Sequence, residues 1–185
     1  MKILFLDVNP RTGCAFALVN YMDSLGEKGL LIGQGIMTNI IGTNLEEMRT
    51  SLYSMDRTYF DQMDVCGIEY NGSSTGRGWT MRNHEFCMLF LGWLTGAYPK
   101  IPILSVHPET RHAYFGTGAR QRQDKGKGMT KTQRRMYNKT QALLCWNTKY
   151  RKNYNVWITC HDIADCLLGA QYLWETMYFK INVLK

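Results

Sequence analysis

Apolar positions in the first third of the chain fall into short runs separated by turn-forming residues. Residues 2–8, Lys-Ile-Leu-Phe-Leu-Asp-Val, are short enough for a buried strand, and Asn9-Pro10-Arg11-Thr12-Gly13 closes that run as a turn. Residues 14–19 and 30–36 follow with Gly-rich or polar punctuation, which predicts three consecutive strands joined by hairpins. The period then changes. Asn44 with Glu47 forms a capping-box-like start, and Leu45, Met48, Leu52 and Met55 recur at helical spacing, so a helix is expected over roughly 45–59. Residues 63–70 return to a strand pattern and run into Asn71-Gly72-Ser73-Ser74-Thr75-Gly76-Arg77-Gly78, a loop that leaves Glu69 at a strand's C-terminal edge.

Residues 80–97 suit an amphipathic helix ended by Gly96 and Pro99, and residues 101–106 a further short strand. The stretch 116–128 is too Gly-rich and charged to pack, and a basic mobile loop is expected at about 116–129. Thr130 with Gln133 resembles a capping box opening a helix to about Trp146. In that helix Lys131, Arg134, Arg135 and Asn138 share one face, and Met136, Tyr137, Thr140, Leu143 and Leu144 are expected to pack. The last helix begins near residues 159–162, with Ile163, Leu167, Ala170 and Trp174 as its buried stripe. Five strands alternating with helices after an initial meander predict an α/β fold, with a mixed central sheet and helices on both faces.

Length and composition fit one domain spanning residues 1–185, with 45% apolar residues in 21.4 kDa. No run approaches the ~18 uncharged apolar residues that a membrane helix needs. Asp7 also interrupts the opening run where a signal peptide would stay apolar, so a soluble intracellular protein is expected. Six cysteines occur without a CxxC pair, mostly among apolar neighbours, and are read as reduced structural thiols. Cys160, His161 and Cys166 match no common zinc spacing.

Charge is distributed unevenly. Residues 111–152 hold 12 Lys and Arg against the single acid Asp124, whereas the rest of the chain holds 10 Lys and Arg against 14 acids. Such a basic segment points to a polyanion, because cationic side chains release condensed counterions from phosphates. Against it stand four acids in suggestive places. Asp7 lies inside an apolar strand, where an ionised carboxylate is costly unless paired or metal-bound. Glu69 ends a later strand. Asp162 and Asp165, three residues apart, project from one face of the last helix's first turn, whose positive end favours anions. An N-cap role is the simpler account of Asp162 taken alone.

The combination resembles the RuvC-like Holliday-junction resolvases, a branch of the RNase H-like superfamily that includes the poxvirus resolvases. The resemblance covers nearly the whole chain. It is carried by Ile3-Leu4-Phe5-Leu6-Asp7 with Arg11-Thr12-Gly13, by Gly67-Ile68-Glu69, by Gly116-Thr117-Gly118-Ala119 before basic residues, and by His161-Asp162-Ile163-Ala164-Asp165. It implies an RNase H-like fold in which Asp7, Glu69, Asp162 and Asp165 form the metal-binding and catalytic tetrad. Two Mg²⁺ or Mn²⁺ ions, about 3.5 to 4 Å apart, would activate water for attack on a phosphodiester. His161 is either an accessory metal or water ligand or a partner of nearby backbone.

The resemblance also implies a homodimer acting on four-way DNA junctions by paired symmetric nicks, with the helix of residues 80–97 as the expected interface. Arg77, Trp79, Arg120, Arg122, Lys125, Lys127, Lys131, Arg134 and Arg135 are the expected DNA-binding residues, with Lys127, Lys131 and Arg135 nearest the scissile phosphate. Tyr70, Arg77 and Trp79 either stack on unpaired bases or, for the two aromatics, pack in the core. Asp7-Val8-Asn9-Pro10 departs from the bacterial Asp-Pro-Gly, and Gln123-Asp124-Lys125-Gly126-Lys127-Gly128 lengthens the basic loop. The first departure leans toward the viral or otherwise divergent branch, and the expected location is the site of replication or recombination, viral if the source is viral. Two rivals share these features: an RNase H-like nuclease acting on RNA–DNA hybrids or other branched DNA, and a non-catalytic binder of branched DNA.

Overall fold

The computed structural model describes residues 1–9, 13–22, 29–38, 44–70, 78–118 and 128–183. Five strands form a sheet of order β3-β2-β1-β4-β5: β1 (Lys2–Asn9), β2 (Gly13–Tyr21), β3 (Gly29–Met37), β4 (Val65–Glu69) and β5 (Ile103–Val106). β1, β2 and β3 pair antiparallel, whereas β4 and β5 run parallel to β1, so the sheet is mixed as expected. The expected strand at 101–106 starts at Ile103, because Pro102 has no N–H to give a ladder. The one at 63–70 is the shorter Val65–Glu69.

Strand alternation sends β1 into two cores. Leu4, Leu6 and Val8 face Met48 and Leu52 of α1 (Leu45–Tyr53) and Phe86, Phe90 and Leu94 of α2 (Gly78–Ala97). Ile3 and Phe5, with Ala15, Ala17 and Val19 of β2 and Val65 of β4, face the opposite way. Their partners are Ala142 of α4 (Lys131–Cys145), Trp146 just beyond it, and Leu167, Leu168, Ala170 and Leu173 of α6 (His161–Val183). Helices therefore cover both faces. The α6 side relies on small residues for close approach. A Cβ on Gly67 or on Gly169 would each stand 2.4 Å from Phe5, so that ring lies against the bare backbones of β4 and α6.

Several expected elements differ from those observed. The first helix stops at Tyr53 instead of continuing to residue 59, because Asp56 Oδ1 accepts from both the N–H (2.9 Å) and the hydroxyl (2.6 Å) of Thr58. That local turn competes with the helix. A 3₁₀ turn (Phe60–Gln62) then drops Phe60 into the core. Residues 108–115, assigned to no element from the sequence, form helix α3 (Pro108–Phe115), with Pro108 at its first position and Gly116 in the left-handed region at φ 64°.

α4 keeps its expected capping box: Gln133 N–H donates to Thr130 Oγ1 at 3.2 Å and Thr130 N–H donates to Gln133 Oε1 at 2.8 Å. Its expected faces need correction. Met136 and Leu144 are exposed, while Ala142 and Trp146 point inward, because the helix rests on α6 through a small residue and one large ring. Beyond α4 the chain continues through a π-helical turn (Trp146–Tyr150) and α5 (Arg151–Tyr154) before reaching α6. The cysteines of the described chain are free, and burial pushes the thiols of Cys66 and Cys87 up to about 12, which keeps them protonated.

Candidate metal centre

The alternation that buries Ile3 and Phe5 against α6 places the next residue of that series, Asp7, on the same face at the C-terminal end of β1. β4 repeats the arrangement. Val65 faces the α6 core, Gly67 leaves room for Phe5, and Glu69 follows at the strand end. Because β1 and β4 are parallel, with Phe5 opposite Gly67, both carboxylates emerge at one end of the sheet. The first turn of α6 supplies the rest. One oxygen each from Asp7, Asp162 and Asp165 lie within 4.8 Å of one another, close enough for a single cation.

Glu69 is held differently. α3 turns Arg111 inward until it is 1% exposed, and its guanidinium bridges two of the acids. Nη1 stands 2.7 Å from Glu69 Oε2 and donates to the Asp165 carbonyl at 3.0 Å, and Nη2 donates to Asp165 Oδ1 at 2.9 Å. The Glu69 contact is close but poorly aligned for a hydrogen bond. Glu69 Oε2 is thus held by the ion pair without a hydrogen bond, and Arg111 Nε has no hydrogen-bonding partner among the described residues. Lys139 of α4 forms an ion pair with Asp162.

Four carboxylates gathered at one end of the sheet repel one another. Burial, followed by the charges of Glu69 and Asp165, raises the pKa of Asp7 well above the ordinary carboxylate range, although Arg111 opposes the shift. Burial lifts Asp165 to about 6 against the lowering influence of Arg111. For Arg111 itself burial disfavours the charge, but Glu69, Asp165 and Asp7 outweigh it, and the guanidinium stays cationic. Next to it His112 is pushed down to about 4, first by burial and then by Arg111, with its Nδ1 2.8 Å from the Thr117 hydroxyl.

The donors fit a hard divalent cation. They are oxygens only, three already converge, and Glu69 offers a buried oxygen without a hydrogen bond. His161 opens α6 but is not part of the three-residue cluster. A cleft of about 400 Å³ lies beside Glu69 and Arg111, lined by Tyr70, Ser105, Val106, His107, Thr110 and Tyr172. None of the four acids lines it.

Of the expected DNA contacts, Arg134 is half-buried and Arg135 exposed on α4. Arg77, Arg120, Arg122, Lys125 and Lys127 lie outside the described residues, as does most of the expected basic loop; Trp79 and Lys131 lie on α2 and α4, their side chains outside the described set. Tyr70 is half-buried, and its hydroxyl lies 2.9 Å from His84 Nδ1. Arg111 corrects the reading of the basic segment. It was counted with the cations facing a polyanion, yet it is buried among acids, together with Lys139 as partner of Asp162. The signal for α3 was Pro108 near its start and Gly116 just past its end. Hydrophobic periodicity misses this helix because its buried residues are Arg111 and His112.

No family model matches the chain, and no curated protein matches it in sequence. Solved structures do match in fold. RuvC of Thermus thermophilus in complex with a Holliday junction substrate aligns with TM-score 0.57 and 10% identity over 98% of this chain and 96% of that one. A second Thermus thermophilus RuvC structure gives TM-score 0.58 and 11% identity over 98% and 97% of the two chains. The yeast mitochondrial Holliday junction resolvase Ydc2 gives TM-score 0.55 and 15% identity over 96% of this chain and 80% of that one. These neighbours are bacterial and yeast mitochondrial and lend no support to the viral leaning. The expected α/β fold, RNase H-like with a mixed five-stranded sheet and helices on both faces, is the one observed.

Proposed function

We propose that this chain is a divalent-cation-dependent endonuclease that resolves four-way DNA junctions. The observation that carries the reading is the convergence of Asp7, Asp162 and Asp165 oxygens within 4.8 Å at the sheet's end, in a chain whose fold matches junction resolvases. Asp7, Asp162 and Asp165 would hold one Mg²⁺ or Mn²⁺, and Glu69 with the same helix turn would hold a second. Bound there, such ions lower the pKa of water and neutralise charge developing on a phosphodiester.

The chain's own residues do the positioning. β1 fixes Asp7 by burying Phe5 beneath it, and the first turn of α6 presents Asp162 and Asp165 from one helix face. Arg135, exposed on α4, and the basic residues between Arg120 and Lys131 contact the DNA backbone. Paired nicks on opposing strands need a two-fold homodimer. α2 is the proposed contact: Met88 is 47% exposed, and Gly92 and Gly96, one turn apart, have open space where a side chain would stand. No described helix is long and apolar enough to cross a membrane.

The test is a panel of equimolar substrates with Mg²⁺ or Mn²⁺: a synthetic four-way junction, a linear duplex, a flap and an RNA–DNA hybrid. Symmetric paired nicks in the junction, at least ~10-fold faster than cleavage of the others, are expected. Faster cutting of the hybrid would replace this reading with that of a hybrid nuclease. Tight junction binding without cleavage would leave a non-catalytic binder.

A further inference from the structure

We infer that Arg111 serves as a resident stand-in for a second cation: without nucleic acid the site takes one divalent ion at Asp7, Asp162 and Asp165, and Glu69 receives another only after Arg111 is displaced. The inference rests on the reading of these acids as a cation site.

The geometry divides the four carboxylates into two sets. Asp7, Asp162 and Asp165 present oxygens to a common point, whereas Glu69 Oε2 lies 2.7 Å from Arg111 Nη1. The guanidinium is a fixed fork and not a surface cation that happened to swing in. It is 1% exposed, and its two terminal nitrogens also grip the Asp165 carbonyl and carboxylate, tying it to the first turn of α6. Asp165 thereby belongs to both sets: it offers an oxygen to the three-acid cluster, and its Oδ1 accepts from Arg111.

Charge points the same way. Ionised, as ligands to a cation must be, Asp7, Glu69, Asp162 and Asp165 would carry four negative charges, and Arg111 and Lys139 return two positive ones. One divalent ion completes neutrality. A second, with Arg111 still in place, would leave two surplus positive charges in a poorly solvated site, which is costly. Displacing Arg111 cuts that surplus to one, which a phosphodiester's single negative charge offsets while offering the guanidinium a new bidentate partner, so second-ion entry becomes coupled to substrate.

The experiment counts ions on the DNA-free, full-length protein by titrating Mn²⁺ and reading free Mn²⁺ by electron paramagnetic resonance, with calorimetry for affinity. The wild type is expected to bind one Mn²⁺ per chain, Arg111→Gln two, and Arg111→Lys, which keeps the charge, one. Glu69→Gln is expected to keep the single ion within about 3-fold of wild-type affinity, while Asp162→Asn weakens it at least ~10-fold. Should Arg111→Gln not fold, the wild-type count and the Glu69→Gln affinity still decide. Two ions on the DNA-free wild type, or a 10-fold loss in Glu69→Gln, overturns the inference while leaving the cation site intact. No bound ion in any form removes the cation site and the inference with it.

Discussion

On the α1 and α2 face of the sheet, the apolar series of β1 runs unbroken through Leu4, Leu6 and Val8. On the α6 face it stops at Phe5, and Asp7 follows. The same strand thus gives one face to apolar packing alone and ends the other in a carboxylate. β4 repeats the division, with Cys66 and Ile68 on the first face and Val65, Gly67 and Glu69 on the second. Rings interlock in both cores, Phe60 with Phe90, Trp93 and Tyr98 on the first face and Tyr21 with Trp174 and Trp146 with Tyr154 on the second. Beneath Asp7, however, the small residues Ala15, Ala17, Gly67 and Gly169 let α6 approach closely. A site held by close backbone approach tolerates added bulk poorly, whereas a ring-packed core tolerates removal poorly.

The largest effect is expected on the purely structural face. Phe90 is fully buried, and Phe90→Ala should cost about 3 to 5 kcal/mol by cavity formation. Chemical denaturation measures that loss, and Mn²⁺ affinity per folded molecule should stay unchanged. If affinity fell with stability, the two faces would not be separable.

Adding one methyl group contrasts the faces more finely. Gly169→Ala would place a Cβ 2.4 Å from Phe5 and should cost about 1 to 3 kcal/mol while also weakening cation binding, since Phe5 supports the strand that carries Asp7. Gly92→Ala on α2 meets open space and should stabilise the monomer by about 0.5 to 1 kcal/mol through helix propensity. Paired thermal melts and Mn²⁺ titrations test both.

The electrostatic difference appears in pH dependence without metal. Asp165 titrates at about 6 in the folded chain against 3.8 for an ordinary aspartate, so the folded state takes up the proton more readily. Its contribution is fully present below about pH 4 and is lost as pH rises through 6. Asp165→Asn, permanently neutral, should therefore match the wild type near pH 4 and exceed it at pH 8 by on the order of 1 to 2 kcal/mol. His112, pushed down to about 4, shifts stability in the opposite sense, but its contribution cancels between the two proteins. Metal-free melts across this range check the sign; saturating Mg²⁺ should reverse the order at pH 8. The smallest effect falls outside both cores. Arg135→Gln should weaken junction binding a few-fold and flatten the slope of log K against log salt by about 1, as loss of one phosphate contact does.

Much of this division was legible in the sequence. Short apolar runs bounded by turn residues located all five strands, and an acid inside Ile-Leu-Phe-Leu-Asp-Val flagged Asp7 because burial makes such a residue expensive. The Asp162 and Asp165 spacing fixed their shared helix face. Arg111 was not legible, because a basic residue in a basic segment reads as a surface cation. Only the packing of α3 on α6 reveals that it is enclosed by carboxylates, and α3 hides from periodicity by burying polar residues. The faces of α4 were misread for a related reason: Met136 and Leu144 look like core residues but meet solvent, while the contact falls on Ala142 and Trp146. Apolar character predicts burial less well on a helix that packs through a narrow seam.

The central claim is that Asp7 marks where the sheet turns from structure to cation-dependent chemistry. Its most direct test is junction nicking by Asp7→Asn beside the wild type at saturating Mg²⁺. The account predicts wild-type paired nicks abolished by chelator, and a variant that binds the junction normally but cuts at least ~10³-fold more slowly. Undiminished cutting by Asp7→Asn would contradict it.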